Sequence, residues 1–167
     1  CLRDARRGRA AQAMSAAAAL DMGPVDLPGP TGESNRLTLA RRGLVLCLGP
    51  DADAALDQAV QALRAGNRAL AIAPGATSAL APLLNKVFPV AAIDGRLDPE
   101  ALTDLAIDAV AFAGGDARVR RVLASRAGAI LPLIDARIAP AAYALERAIC
   151  IDVTAAGGNA ALLDLSE

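Results

Sequence analysis

The sequence predicts an α/β protein with a Rossmann-like, doubly wound parallel sheet of about five strands, a projecting β-flap and a C-terminal tail. Short apolar runs bounded by glycine or proline recur along the chain, and amphipathic helical stretches separate them. The 167 residues, 54% of them hydrophobic and 21% charged, suffice for one domain with a core. Strand–helix alternation at this spacing favours parallel strands with helices on both faces.

The alternation begins at residue 36 with a short, half-exposed strand around Leu37 and Leu39, where apolar and polar residues alternate. The apolar runs then predict five buried strands, at residues 44–48, 69–73, 90–93, 107–112 and 130–134. Residues that favour helix starts precede the intervening helices, namely Asp51 or Asp53, Ser78, Asp98 and Asp116. These elements account for the predicted parallel sheet and its crossovers.

Both ends of the chain depart from this pattern. An alanine-rich run at 10–20, preceded by arginines, predicts an exposed helix or the end of a preceding region rather than a signal peptide. Residues 140–147 predict a short helix, and 148–153 a strand that pairs near Leu37 instead of joining the parallel sheet. Its free edge would then need covering by another module or subunit. The predicted divisions are a helix at 1–23, a Pro/Gly linker at 24–35, a Rossmann-like domain at 36–147 and a flap strand with C-terminal motif at 148–167.

The composition excludes several functional classes. There is no histidine, which removes His-based acid–base catalysis and nearly every zinc site. Seventeen basic and 18 acidic residues give a net charge of −1, so we expect neither nucleic-acid nor membrane binding. Cys47 and Cys150 lie in apolar runs and are predicted to be buried free thiols, which favours the reducing cytoplasm. Because the chain begins at Cys1 rather than methionine, we expect a fragment of something longer.

The loops after the predicted strands offer little chemistry. Pro50 and Asp51 follow the first buried strand, where a phosphate-binding loop would need glycines. Gly114-Gly115 precedes Asp116, which would oppose an anion, and the pair predicts a tight turn. After the fifth buried strand, Asp135 and Arg137 are predicted to form a surface ion pair. The residues therefore predict no catalytic group, no cofactor-binding residue and no metal ligand in this chain.

Several motifs nevertheless resemble a known family. Residues 43–50 (GLVLCLGP), 62–67 (ALRAGN) and 112–115 (FAGG) resemble the nucleotide-binding half of the aldehyde dehydrogenase superfamily. Residues 27–35 (LPGPTGESN), 145–149 (LERAI) and 154–160 (TAAGGNA) resemble the C-terminal region of long-form proline utilization A, a bifunctional enzyme family. The resemblance extends over most of the chain from about residue 27.

The resemblance implies a parent enzyme that oxidises proline with FAD and then glutamate semialdehyde with NAD, at two sites joined by a tunnel. It implies that this domain is non-catalytic, binds no cofactor, and packs on the aldehyde dehydrogenase module of the same or a neighbouring chain. There it would close the tunnel and order the aldehyde site. The residues implied in this contact are Thr154, Ala155, Ala156, Gly157, Gly158, Asn159, Ala160, Leu162 and Leu163. Pairing of two flaps would instead give a homodimer.

The sequence departs from the pattern of active aldehyde dehydrogenases, as the resemblance implies it, at three places. Pro50-Asp51-Ala52 stands where active members have a Pro-Trp-Asn-type loop, Ile72 where they have a cofactor-binding lysine, and Ala136 where they have a glutamate. These departures are the reason to expect an inactive domain. Two alternatives stay open: an ancillary nucleotide-binding regulatory domain, and a free-standing homo-oligomeric α/β protein.

Overall fold

The computed structural model describes residues 2–152, in which helices and strands alternate as expected. The strands are β1 (Val25–Leu27), β2 (Glu33–Arg41), β3 (Leu44–Cys47), β4 (Arg68–Ile72), β5 (Val90–Ile93), β6 (Ala109–Ala111), β7 (Leu133–Ile134) and β8 (Ala144–Asp152). The α-helices are α1 (Leu2–Ala18), α2 (Ala52–Arg64), α3 (Ala76–Leu84) and α4 (Ala117–Ser125). Short 3₁₀-helices cover Pro99–Thr103 and Pro140–Tyr143.

The chain divides into two compact units. One joins the N-terminal residues through Asp21 to Arg41–Ala144, and the other joins Met22–Ala40 to the described residues from Leu145 onward. The predicted boundaries at 23, 35 and 147 concern independent folding, which contacts within one chain do not measure, so they stay predictions.

The larger unit contains the predicted sheet of five parallel strands in the order β5-β4-β3-β6-β7. The order reverses between β3 and β6, as in a doubly wound fold. Alternate residues of β3 enter two different cores: Val45 and Cys47 pack in the core under α2 and α3, and Leu46 packs with α4. The α/β prediction is therefore confirmed, with helices on both faces.

Helix α1 is exposed along much of its length, as one of the two readings of the alanine-rich run expected, but one of its faces is buried. It packs against α2, and the buried residues Ala13 and Ala17 lie four positions apart on one face. Alanine at both positions lets the two helix backbones approach closely, which explains why a helix with little large apolar surface is nevertheless held.

The smaller unit is an antiparallel sheet in the order β1-β2-β8. Leu37 of β2 stands opposite Val25, and the Thr38 hydroxyl donates to the carbonyl of Arg147 in β8 over 3.3 Å. The predicted pairing of the tail strand with the strand at Leu37 is confirmed. The flap has three strands rather than two, because the segment 24–35 supplies β1 and the start of β2.

The predicted helix at 140–147 is wrong. Only Pro140–Tyr143 forms a single 3₁₀ turn, and β8 begins at Ala144. Tyr143 is buried, and the buried side-chain amide of Asn67 donates to its carbonyl over 2.9 Å, which stops the turn there. Among the cysteines, Cys47 is buried as predicted, and burial raises the pKa of its thiol. Cys150 is exposed on β8, so its predicted burial is wrong.

Candidate functional site

The carboxyl edge of the parallel sheet is the candidate site, because doubly wound folds bind ligands where the strand order reverses. A cavity of about 210 Å³ lies there, at the carboxyl ends of β3, β4 and β6. Its lining residues are Leu48, Gly49, Ile72, Arg96, Leu97, Pro99, Phe112, Asp116, Arg118 and Val119. The side chain at the family's lysine position is thus Ile72, which presents hydrocarbon to this cavity.

The loop after β3 folds back onto its own helix, α2. The side chain of Asp51 accepts a hydrogen bond from the backbone N–H of Ala54 over 2.8 Å. The amide of Gly49 donates to the buried Gln58 carbonyl over 2.9 Å. A Cβ on Gly49 would lie 2.5 Å from the backbone nitrogen of Ala55, so only glycine fits this return. The backbone of Ala55 thus fills the space beside Gly49, and the Asp51 carboxylate already binds a backbone N–H at this helix start. A pyrophosphate would need both that space and those N–H groups.

The N-terminus of α3 is occupied by a carboxylate from another strand. Asp94 follows β5, and its carboxylate accepts hydrogen bonds from both the backbone N–H, over 3.0 Å, and the hydroxyl of Thr77. The hydroxyl bond is the main reason that the pKa of Asp94 lies below its ordinary value, with the backbone bond as the second cause. Asp94 therefore holds a full negative charge at the helix terminus at neutral pH.

The third helix that starts at this edge, α4, has the same arrangement. Asp116 accepts from the backbone N–H of Arg118 over 2.7 Å. The preceding Gly114 and Gly115 have φ angles of +94° and +60°, and the amide of Gly115 donates to the carbonyl of Phe112 over 3.2 Å. The predicted tight turn at this glycine pair is confirmed. All three helix starts at the carboxyl edge thus carry a carboxylate from this chain.

The two arginines that line the cavity differ in their ion pairing. Arg118 is tied at the rim, with its guanidinium 3.0 Å from the carboxylate of Asp98 and 3.2 Å from that of Glu100. Arg96 is exposed and has no hydrogen-bond or ion-pair partner among residues 2–152. Arg96 is the feature here that could attract an anion.

The predicted ion pair between Asp135 and Arg137 is wrong, because each finds another partner. Asp135 lies 2.5 Å from Arg120 at the surface, and the hydrogen bond and charge of Arg120 lower the pKa of Asp135. Arg137 reaches inward to Asp57 of α2 at 2.7 Å, where Asp57 is only 2% exposed. The Arg137 side chain is itself 37% exposed, so this ion pair ties the surface loop after β7 to the buried side of α2.

A metal centre is not found in this part of the chain. Within residues 2–152, no group of three or more cysteine, aspartate or glutamate side chains is arranged to hold an ion. In the same range, no helix combines the length and apolar character needed to cross a membrane.

Comparison with known proteins relates this geometry to a family. No family model matches the chain. The bifunctional protein PutA of Salmonella typhimurium is 36% identical over 150 residues, which cover 83% of this chain and 11% of the relative. The chain is homologous to part of PutA. The Escherichia coli PutA is 33% identical over the same shares. The chain therefore spans about a ninth of the curated PutA relatives that it matches.

Solved structures agree with this assignment. Crystal structures of Bradyrhizobium japonicum PutA superpose with a TM-score of 0.61 at 30% identity, over 77% of this chain and 15% of the other. An AldH from Staphylococcus aureus superposes with a TM-score of 0.53 at 17% identity, over 77% of this chain and 30% of the other, which shows a shared fold. This PutA-related domain thus has the aldehyde-dehydrogenase-like fold that the motifs implied.

The structure tests only part of the predicted site. Asp51 and Asp116 cap helices as predicted, whereas the cap of α3 by Asp94 was missed. An acidic residue directly after a predicted strand was the available signal, since strand ends meet at one edge. The predicted interdomain residues, Thr154–Ala160 with Leu162 and Leu163, lie outside the described residues.

Proposed function

We propose that this PutA-related chain is a non-catalytic domain of a bifunctional proline-catabolic enzyme, which converts proline to glutamate with FAD and then NAD. In this proposal the domain packs on the aldehyde dehydrogenase module, closes the channelling tunnel and orders the aldehyde site. The observation that carries the non-catalytic part is the set of three aspartates at the helix starts of the carboxyl edge. A dinucleotide pyrophosphate would meet negative charge at each of them.

The flap supports the packing part of the proposal. β8 is the last strand of its sheet among the described strands, and Ile149 and Ile151 share one face of it at 47% and 53% exposure. An edge strand with exposed branched apolar side chains favours pairing with further protein. Because the chain spans about a ninth of its PutA relatives, the remaining modules are the natural partner.

The test uses a full-length PutA-type protein that carries this domain. Deleting residues 154–167, or replacing Ile149 and Ile151 of β8 with asparagine, should lower proline-to-glutamate turnover about tenfold or more while flavin reduction by proline stays unchanged. The matched control is Ile130→Asn, which alters an isoleucine that is 95% exposed outside the flap. Unchanged coupled turnover in both flap variants would refute the packing role.

A second candidate is an ancillary nucleotide-binding regulatory domain. Two observations favour it: the cavity at the switch point, and Arg96 in its lining, which has no hydrogen-bond or ion-pair partner among residues 10–152. Calorimetric titration of the purified chain with NAD, continued to about 5 mM, separates the two candidates. We expect no saturable heat, because three carboxylates oppose the pyrophosphate; saturation near micromolar NAD would promote the regulatory candidate.

The proposal also includes the cellular setting. We place the domain in the cytoplasm, since a free thiol such as the buried Cys47 is typical of a reducing compartment. FAD and NAD would be bound by the parent enzyme's other modules and not by this chain.

A further inference from the structure

A polar cleft lies at the amino edge of the parallel sheet, opposite the edge already described. Its volume is about 320 Å³, and Arg41, Gly43, Gly66 and Arg68 line it. Gly43 immediately precedes β3, and Arg68 is the first residue of β4. Glycine at positions 43 and 66 adds no side chain of its own to the cleft, and the carboxylate of Asp108 lies beside Gly43. We call this the Arg41/Arg68 cleft.

Among residues 10–152, the two guanidinium groups of this cleft have no hydrogen-bond or ion-pair partner, and both arginines are exposed. The carboxylate that comes nearest to the glycine backbone belongs to Asp108, and the backbone N–H of Leu44 donates to it over 2.6 Å. The two guanidinium groups together offer two positive charges and ten N–H donors to an oxyanion, against the single negative charge of Asp108, which already accepts from a backbone N–H.

The turns that carry the arginines are fixed by one buried side chain. Asn67, which is buried, accepts from the backbone N–H of Arg42 over 2.7 Å and from that of Gly43 over 3.0 Å. The amide of Arg68 donates to the carbonyl of Gly43 over 2.9 Å. Asn67 thus clamps the turn after Arg41 to the turn before Arg68. A site whose backbone is held in this way loses little entropy when an anion binds.

The guanidinium of the neighbouring Arg42 points to a different partner. Its Nε donates to the carbonyl of Ala142 over 2.8 Å, so Arg42 serves the fold. Arg42 therefore has a structural role, whereas Arg41 and Arg68 have no hydrogen-bond or ion-pair partner among residues 10–152. Because the whole chain has a net charge of −1, the positive charge at this cleft is local and does not reflect a basic protein.

We propose that the Arg41/Arg68 cleft is a binding site for oxyanions of the phosphate or carboxylate class, held by both guanidinium groups. Two sources offer such oxygens: a free small anion, and an acidic side chain from the rest of the full-length protein. A small anion on two exposed arginines should bind with a Kd on the order of 1 mM. The inference is independent of the function proposed above.

Arginine footprinting with phenylglyoxal, read by peptide mass spectrometry, tests the site and its source. In the purified 167-residue chain, about 10 mM inorganic phosphate should slow modification of Arg41 and Arg68 at least threefold. Arg121 of α4 is also exposed, has no hydrogen-bond or ion-pair partner among residues 10–152 and lines neither cavity, so it serves as an internal control and should react at an unchanged rate. Arg41→Gln should abolish the phosphate protection of Arg68, and Arg121→Gln should leave it intact.

The full-length protein then separates the two sources. Protection of Arg41 and Arg68 without added phosphate would identify an acidic side chain, and protection only with phosphate would identify a free anion. Equal protection of Arg121 would show a general salt effect and overturn the proposal. Absence of protection in both proteins would overturn it as well.

Discussion

At the residue scale, three aspartates stabilise helix starts at the carboxyl edge of the sheet. In other doubly wound proteins, this edge is where ligands bind. Asp51, Asp94 and Asp116 each accept a backbone N–H at the start of a helix on the carboxyl edge. A helix start offers free N–H groups and a partial positive charge, and an anion or an acidic side chain satisfies it equally well. In this domain the chain supplies the acid itself, so stability is gained at the positions where a nucleotide would need space.

The first prediction is that the contribution of Asp94 to the stability of the fold depends on pH. Because hydrogen bonds from Thr77 lower the pKa of Asp94, its ionised form stabilises the fold above the ordinary value of 3.8, and this contribution is lost as pH falls through the lower folded pKa. Asp94→Asn should therefore lower Tm by about 2 °C at pH 7, and this difference should disappear as pH falls through the folded pKa of Asp94. Thermal unfolding across this range measures it. Asp104→Asn, at an exposed carboxylate with no described hydrogen bond, is the control; a Tm difference independent of pH would contradict the assignment.

The ion pair between Asp57 and Arg137 gives a second prediction. Arg137→Met leaves a carboxylate that is 2% exposed without its guanidinium, which should lower the free energy of unfolding by about 3 kcal/mol in urea denaturation. Adding Asp57→Asn to this variant should recover part of the loss, because an amide is less costly to bury than a charge. Arg120→Met breaks only the surface pair with Asp135 and should leave the urea midpoint nearly unchanged. Equal losses in both arginine variants would contradict the distinction.

At the element scale, helix α2 connects most parts of the larger unit. Three polar side chains on its buried side, those of Asp57, Gln58 and Gln61, bind groups outside the helix. The Gln61 amide donates to the carbonyl of Arg137 over 2.9 Å, and its carbonyl accepts from the amide of Ala139 over 2.8 Å. Through these bonds α2 fixes both the loop after β3 and the chain that leads to β8.

Glycine substitutions in two elements test this view. Gly49→Ala places a Cβ against the α2 backbone and should lower the free energy of unfolding by about 2 kcal/mol. Gly8→Ala, in the exposed part of α1 where a Cβ meets nothing within 4 Å, should instead raise it by about 0.5–1 kcal/mol. Urea denaturation of both variants measures the pair. A Gly49→Ala variant as stable as the parent protein would show that the tight return at Gly49 does not restrain the loop.

The elements that the sequence predicts correctly are those defined by local patterns. Apolar runs such as 44–48 locate the strands of the parallel sheet, and Asp51 and Asp116 mark helix starts through neighbours two or three residues away. The failures depend on distant partners. The segment 140–147 has helix-forming residues, yet Asn67 holds the carbonyl of Tyr143 from 76 positions away. Asp94 caps a helix 17 residues before it, a relation that periodicity does not contain.

At the scale of the whole molecule, the described chain combines a sheet whose ligand edge is filled by its own carboxylates with a flap whose edge strand is open. In the function proposed above, the first feature accounts for the expected lack of activity, and the second provides a surface for association. Homology to about a ninth of PutA is consistent with that proposal, in which the domain serves a larger enzyme through its contact surfaces. The association state of the isolated chain therefore tests whether the flap is a contact surface.

The open edge predicts self-association of the isolated chain. Two β8 strands can pair through their free backbone groups and bury Ile149 and Ile151, which would otherwise stay half-exposed. Sedimentation equilibrium from about 5 to 200 μM should show a monomer–dimer equilibrium. Ile149→Lys should weaken it at least tenfold, since a charge on an edge strand opposes pairing. Val87→Lys, at a fully exposed valine outside the flap, should leave the equilibrium unchanged. A dimer that Val87→Lys disrupts and Ile149→Lys does not would locate the contact in the larger unit and contradict pairing through the flap.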